Sequence, residues 1–403
     1  MRDASEVKTI KRYEEDAYQA AFDAVIVSVQ EAAGGKDGTP CLDVVLDQTC
    51  FFPEEGGQSP DKGVIAGMDV VDVRIRGGEI HHVLKMQDAE HPLTEGDRVH
   101  GMIDWPHRFS NMQQHSGEHL FSGIVHRRFG FENKGFHLSD REVTLDFDGV
   151  IPEDAIREIE QEVNEVIWRN IPSEIRVTTP EERADLVYRS KLDLDGDVRI
   201  VTFPGVDSCA CCAPHVRRTG EIGVLKVISV INWKGGVRIS ILCGGRALAY
   251  FREAHAIVAQ TAGYLTTSPD QIYPQVVRLK EETRRMEAEL RKAASEKLIR
   301  EALLIPDEEE HAAVFAEAAD GAAMRAAVSA MTERHSGYCG VFCGSEADGY
   351  TFVIGSAKSD CRVISSALKE RFGARGGGKP DMVQGFVKAS EHDVRSVLAG
   401  RAE

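Results

Sequence analysis

Apolar and polar positions change rhythm several times along this chain. Over roughly the first ninety residues, Phe22 to Gln30, Leu42 to Asp47, Val64 to Ile75 and Ile80 to Met86 are rich in Val and Ile and are broken by Gly- and Asp-containing turns. That pattern predicts a small β domain of barrel-like build. A mixed region follows. Met112, Leu120, Phe121, Ile124 and Val125 form an apolar stripe on a helix that a Ser110/Gln113 capping box would open. Glu142 to Phe147 reads as a strand, and Pro152 to Asn170 as a helix with Ile156, Ile159, Val163 and Val166 on one face. Gly223 to Ile231 and Gly236 to Leu242 read as further strands.

From Pro274 the spacing lengthens. Val276, Leu279, Thr283, Met286, Leu290, Ala293 and Lys297 alternate by three and four residues, the seam of a helical arm or short coiled coil. The seam is weak, so packing against a return helix over Glu308 to Ala319 competes with dimerisation. Beyond it, Gly340 to Cys343 and Tyr350 to Ile354 read as strands, Asp360 to Phe372 as a helix, and Arg375 to Met382 as a glycine-rich loop. The expected fold class is α+β and multidomain: a β-barrel-like domain over 1–90, an α/β region over 91–265, a helical arm over 266–320 and a small α/β domain over 321–403.

Composition narrows the class. The chain has 403 residues, of which 42% are hydrophobic, enough for two or three ordinary cores. No apolar signal core opens it and no run approaches a membrane span, so a cytoplasmic protein without membrane contact is expected. Nine cysteines, three of them crowded into Cys209-Ala210-Cys211-Cys212, suit metal or reduced thiols better than a disulfide framework. A net charge of -17 argues against indiscriminate nucleic-acid binding and leaves local basic patches as the only route to such a partner.

Chemistry concentrates in three segments. In Gln114-His115-Ser116-Gly117-Glu118-His119-Leu120 two histidines stand four apart, so on a helix their Cβ atoms lie about 5–6 Å apart and both rings can reach one ion. A Cys and a His from Cys211-Cys212-Ala213-Pro214-His215 would complete a tetrahedron, and a mixed His/Cys set favours zinc over magnesium or calcium. The bland alternative is a pair of polar surface histidines. His115 to His119 also fits H-x-x-E-H, the inverted zinc-peptidase motif, with Glu118 as general base and a distant carboxylate as third ligand. The third segment runs from Leu46 to Gln58, where Gly56-Gly57 lets the backbone approach a ligand or turn tightly, and Thr49 and Gln58 offer polar groups beside it.

Together the runs LDQTCFFPEEGGQSPDKG, QHSGEHL, CCAPHVRRTGEIG and GGGKPDMVQG resemble, in order and separation, the editing and C-terminal domains of alanyl-tRNA synthetase. With no room for an aminoacylation domain ahead of them, the chain is similar to the free-standing alanyl-tRNA editing proteins, AlaX, in their large form. The resemblance implies a zinc-bearing editing domain, a helical arm and a DHH-associated C-terminal domain. It also implies His115, His119, Cys211 and His215 as zinc ligands, with Cys209 or Cys212 as alternatives to Cys211. Thr49, Gly56, Gly57, Gln58 and Arg238 would bind substrate, and Thr49, Gln58 and Glu118 would serve catalysis. The implied reaction is ester hydrolysis of tRNA(Ala) charged with serine or glycine, with tRNA and nucleotide (ATP) binding and a homodimer formed through the C-terminal region.

Two departures bear on specificity. The family commonly reads His-Thr-Ala-x-His and Cys-Gly-Gly-Thr-His where this chain has His115-Ser116-Gly117-Glu118-His119 and Cys211-Cys212-Ala213-Pro214-His215. The altered wall keeps a second expectation open, a catalytically silent, zinc-stabilised tRNA-binding module. Four protein ligands also close a zinc sphere, the mark of a structural ion.

Overall fold

The computed structural model describes residues 8–32, 40–86, 93–140, 142–190 and 195–400. The architecture is mixed α+β and multidomain, and the chain separates into two compact units, Met1–Ile257 and Val258–Glu403.

In the first unit, strand residues alternate between two environments. Along Ala21–Ala32, Phe22, Ala24 and Ile26 turn inward and their neighbours outward, as a period of two requires. This strand joins Cys41–Leu46, Glu79–Lys85, Met68–Arg76, Gly63–Ile65 and Arg98–Ile103 in a closed antiparallel barrel, filled by Val44, Leu46, Phe51, Val73, Ile80 and Leu84. The last stave lies beyond the ninety residues expected of this domain. Val64 to Ile75, continuous by composition, is two strands, because Ala66 and Gly67 both take positive φ and reverse the chain.

The helix Trp105–Phe129 follows directly. Asp104 caps it by accepting from the His107 N–H, Pro106 sits in the first turn, and Gly130 ends it at φ 71°. The Ser110/Gln113 box is therefore corrected. Ser110 lies in the second turn, where its Oγ accepts from Arg246, and the Gln113 amide donates to the Glu221 carbonyl. From Gln114 to Val125 every residue of this helix is buried. It is a central helix, not an amphipathic surface one.

Beside it run four antiparallel strands in the order Leu225–Trp233, Gly236–Cys243, Val143–Phe147 and Asn133–Leu138. The helix Glu153–Trp168 buries Ile156, Ile159, Val163 and Val166 in the same core, as its periodicity predicts. Gly117 is what lets the central helix approach the sheet, since a Cβ there would meet Cys243 Sγ at 2.3 Å. A three-stranded sheet of Glu174–Thr178, Val198–Phe203 and Asp207–Ala210 delivers the chain to Cys211.

The barrel and the central helix are bolted together by a buried ion pair. Arg108, fully buried, grips Asp61 with its Nε and Nη2 and donates also to the carbonyls of Cys50 and Ala17, while Asp61 accepts from the Phe52 N–H. Every polar atom of the pair is matched, the condition under which a buried charge pair is tolerated.

The second unit carries a five-stranded sheet ordered Ala312–Ala316, Cys339–Ser345, Gly349–Gly355, Met382–Val387, Arg375–Gly378, parallel only in its first pair. Helices Gly321–Thr332, Cys361–Phe372 and Glu391–Leu398 cover it. Two expectations fail here. The return helix over Glu308 to Ala319 is replaced by the strand Ala312–Ala316, whose backbone pairs with Cys339–Cys343 and overrides the helical preference of its alanines. The glycine-rich loop is an edge strand, Arg375–Gly378, paired residue by residue with Val383–Phe386. The arm itself is one helix, Ile272–Leu303, anchored by Leu298 and Ala302, while Val276, Leu279, Met286 and Leu290 along the seam are exposed.

Candidate metal centre

His115 and His119 lie one turn apart on the buried helix, with ring centroids 5.4 Å from each other. His215 meets both, at 4.9 Å and 4.5 Å. Cys211 Sγ stands 3.5 Å from His115 Nε2 and 3.3 Å from His215 Nε2. One donor atom from each of the four falls within 4.8 Å of all the others. Among the three crowded cysteines, Cys211 is the one that joins this set; Cys209 groups instead with His119 and Asp207, and the Cys212 sulfur faces Gly56.

The outer nitrogens have acceptors around them, which suits the cluster to a cation. His115 Nδ1 is 2.7 Å from Gln58 Oε1, His215 Nδ1 is 3.0 Å from Ser116 Oγ, and His119 Nδ1 is 3.1 Å from Asp207 Oδ2. With Nδ1 of His115 and His215 turned to these partners, Nε2 of each is left as a lone-pair donor toward Cys211, the arrangement metal-ligating histidines adopt. Asp207 is itself held by Arg189 through bonds of 2.7 and 3.0 Å. Burial works against the Asp207 carboxylate, yet His119 and Arg189 keep it below the usual carboxylate range.

Desolvation by burial pushes the Cys211 thiol well above its ordinary pKa and the His215 imidazole well below. Burial thus favours the neutral forms of Cys211 and His215, and a divalent ion would reverse that balance at the thiol by deprotonating it. Arg199 steadies the ligand loop, its Nη1 donating to the carbonyls of Cys211 and Ala213. The donor set suits zinc.

The Gly-Gly turn serves the same centre. Gly56 and Gly57 take φ of 61° and 83°, and a Cβ on Gly57 would meet the Phe136 carbonyl oxygen at 2.3 Å. The Leu138 N–H donates to the Gly57 carbonyl and the Ser59 N–H to that of Leu138, so the turn lies against the strand and delivers Gln58 to His115. Turn geometry and site geometry are here the same requirement.

The other expected residues have partners of their own. Thr49 is fully buried in the barrel domain, where His82 donates through Nδ1 to the Val44 carbonyl and so presents Nε2 to the Thr49 hydroxyl at 2.9 Å. Arg238 makes a two-pronged bond to Asp146, its partner across the sheet, and lies 3.9 Å over the Trp233 ring. Its neighbours Val237 and Ile239 point into the core on which His115's neighbour Phe136 packs, so strand alternation sets Arg238 on the opposite face. Glu118 accepts from Ser122 and Asn133 through Oε1, and its Oε2 is 3.9 Å from His119 Nε2. Asp207, Arg189 and Ser116 were not singled out by the sequence. Asp207 lies four residues before Cys211, yet no spacing rule separates it from the chain's other acids.

Comparison with known proteins follows these lines. Residues 1–107 match the family model of class II (A) tRNA synthetases, and residues 198–240 that of the threonyl and alanyl tRNA synthetase second additional domain. The chain is 33% identical over 276 residues to the Pyrococcus horikoshii "Alanyl-tRNA editing protein AlaX-L", a match covering 67% of this chain and 66% of that protein. It is 31% identical over 258 residues to the Bos taurus "Alanyl-tRNA editing protein Aarsd1", covering 61% and 57%. An alanine–tRNA ligase from Methanoregula boonei matches at 29% over 394 residues, 94% of this chain and 41% of that enzyme. The chain thus spans 66% and 57% of these two editing proteins' own length. Nucleotide and ATP binding gain no support from these matches.

Proposed function

The chain belongs to the alanyl-tRNA editing family, and from that premise we propose that it is a cytoplasmic deacylase that hydrolyses, in trans, the ester of tRNA(Ala) charged with serine or glycine. The observation that carries the reading is the convergence of His115, His119, Cys211 and His215, with the outer nitrogens of His115 and His215 bonded to Gln58 and Ser116 and the Asp207 carboxylate 3.1 Å from that of His119. These four would hold a zinc ion, which supplies Lewis acidity beside the ester carbonyl when bound. Gln58, Ser116 and Asp207 fix the tautomer and direction of each imidazole. Water adds to the carbonyl carbon, the bond to the ribose oxygen breaks, and amino acid and free tRNA leave. Glu118 Oε2, beside His119 with its other oxygen tied down, is assigned the proton of the attacking water. Thr49, sealed in the barrel on His82, has a structural role in this reading.

Purified protein incubated with seryl-, glycyl- and alanyl-tRNA(Ala) should release serine or glycine and spare alanine. His119→Ala should lose about one zinc per chain and the turnover together. A metal-free protein of full activity would sink the assignment. The closed set of four protein donors favours one second reading, a silent zinc-stabilised tRNA-binding module; it predicts tRNA binding without turnover, and a His119→Ala variant whose loss is in melting temperature alone. The peptidase reading fares worse, because Asp207, the carboxylate at hand, meets His119 on its outer nitrogen.

A further inference from the structure

Beside the four-donor cluster lies a small set of buried polar atoms that no nitrogen or oxygen of the described residues satisfies. Glu55 and Gln58 form an antiparallel bridge across the Gly56-Gly57 turn, the Gln58 N–H donating to the Glu55 carbonyl at 3.1 Å. Residues opposed in this way project to one side with Cβ atoms about 4.5–5.5 Å apart. Gln58 reaches His115, so Glu55 stands next to the centre. Its Oε2 is buried, with the neighbouring Cys212 thiol interacting with the carboxylate, and Gln58 Nε2, on a side chain that is 0% exposed, is without a hydrogen-bond partner among the described residues. Tyr13, 1% exposed, packs on Phe52, Ala213 and the two cysteines of the ligand loop, and its hydroxyl too is unpartnered. Cys212, the neighbour of the ligand Cys211, lies against Gly56. Buried carboxylate oxygens are rarely left unmatched in a finished protein, and such an atom marks a position that a ligand completes.

The geometry points to Glu55 as the seat of the substrate's α-ammonium group, which it binds as the ester carbonyl turns toward the His/Cys cluster. This rests on the deacylase reading for the substrate class. Any aminoacyl ester carries its amine one carbon from the carbonyl, so a group bound at the cluster brings the amine to the next side chain along the turn. A carboxylate is the complement of that cation, and a charge-assisted bond is the strongest single polar contact the site can offer. Gln58 Nε2 and the Tyr13 hydroxyl are left for neutral oxygens of the same ligand. Glu54, the adjacent acid, is exposed and supplies an internal control of equal charge.

The test uses the zinc-loaded full chain and a non-hydrolysable probe, 3′-amino-3′-deoxyadenosine acylated through an amide with serine, with and without an N-acetyl group. Binding is measured by calorimetry about one unit below the α-amino pKa of ~7.7–8.0, where the free amine is charged. Glu55→Gln should weaken the free-amine probe about ten- to a hundred-fold and leave the acetylated probe unchanged, with zinc content intact. Glu54→Gln should change neither. Equal losses on both probes, an equal loss in Glu54→Gln, no loss, or no binding of the free-amine probe by the parent chain would overturn the assignment. Probe binding that depends on Glu55, in a protein that leaves seryl-tRNA(Ala) intact, would uphold this subsite and sink the deacylase reading instead.

Discussion

Asp207 illustrates how much of the centre is decided one bond away from it. Its carboxylate orients His119 and is in turn fixed by Arg189, all three nearly removed from solvent. Asp207→Asn keeps the shape but weakens the pull on the imidazole, so zinc affinity should fall about ten- to a hundred-fold in a chelator competition; unchanged affinity would reduce Asp207 to packing. His82 shows the opposite relation to charge. Burial pushes its imidazole down to about 4, so it is neutral in the fold, whereas in the unfolded chain it protonates near about 6.5. Below that pH the unfolded state takes up the proton first. Stability present above about pH 6.5 is therefore lost as pH falls toward about 4, by on the order of 3 kcal/mol. Denaturant titrations across this window should show a pH slope that His82→Gln flattens.

At the scale of elements, the Gly56-Gly57 turn joins backbone strain to site geometry. Gly57→Ala meets both a positive φ and the Phe136 carbonyl, whereas Gly67→Ala meets a similar φ, 80°, in open space. The first should cost about 1–3 kcal/mol beyond the second and should also weaken zinc binding, because Gln58 leaves His115. Equal costs would show that the clash relaxes away. What was legible in the sequence divides along the same line. The barrel strands, the helix Glu153–Trp168 and the i, i+4 histidines announce themselves through local periodicity. Ala312–Ala316 and Arg375–Gly378 do not, since alanines and glycines carry no strand signal and only distant partners make them strands. The start of the central helix was misread because Ser110 has the better capping spelling while Asp104, ahead of Pro106, has the better geometry. Of the site, ligand spacing was readable; Asp207 and Ser116 became neighbours of the ligands only through folding.

For the molecule as a whole, the two units invite separation. Truncation after Leu265 keeps the helix Gly244–Tyr264 and should leave zinc content and ester hydrolysis intact. If Arg371, Arg375 and Lys379 of the second unit meet phosphate, the shortened protein should bind tRNA more weakly and with a shallower salt slope. Identical affinity and slope would leave that unit and the exposed arm seam an assembly role, including the homodimer. Among the described residues no helix is long and apolar enough to cross a membrane. The buried pair of Asp61 and Arg108 sets a rule of inheritance for the first unit. Losing either partner strands the other's charge in a dry interior at about 3–5 kcal/mol, so a lineage can exchange both or neither, and hardly one at a time. A barrel transplanted from a relative would graft onto this central helix only if an acid came with it at position 61, which makes the two modules heritable as one.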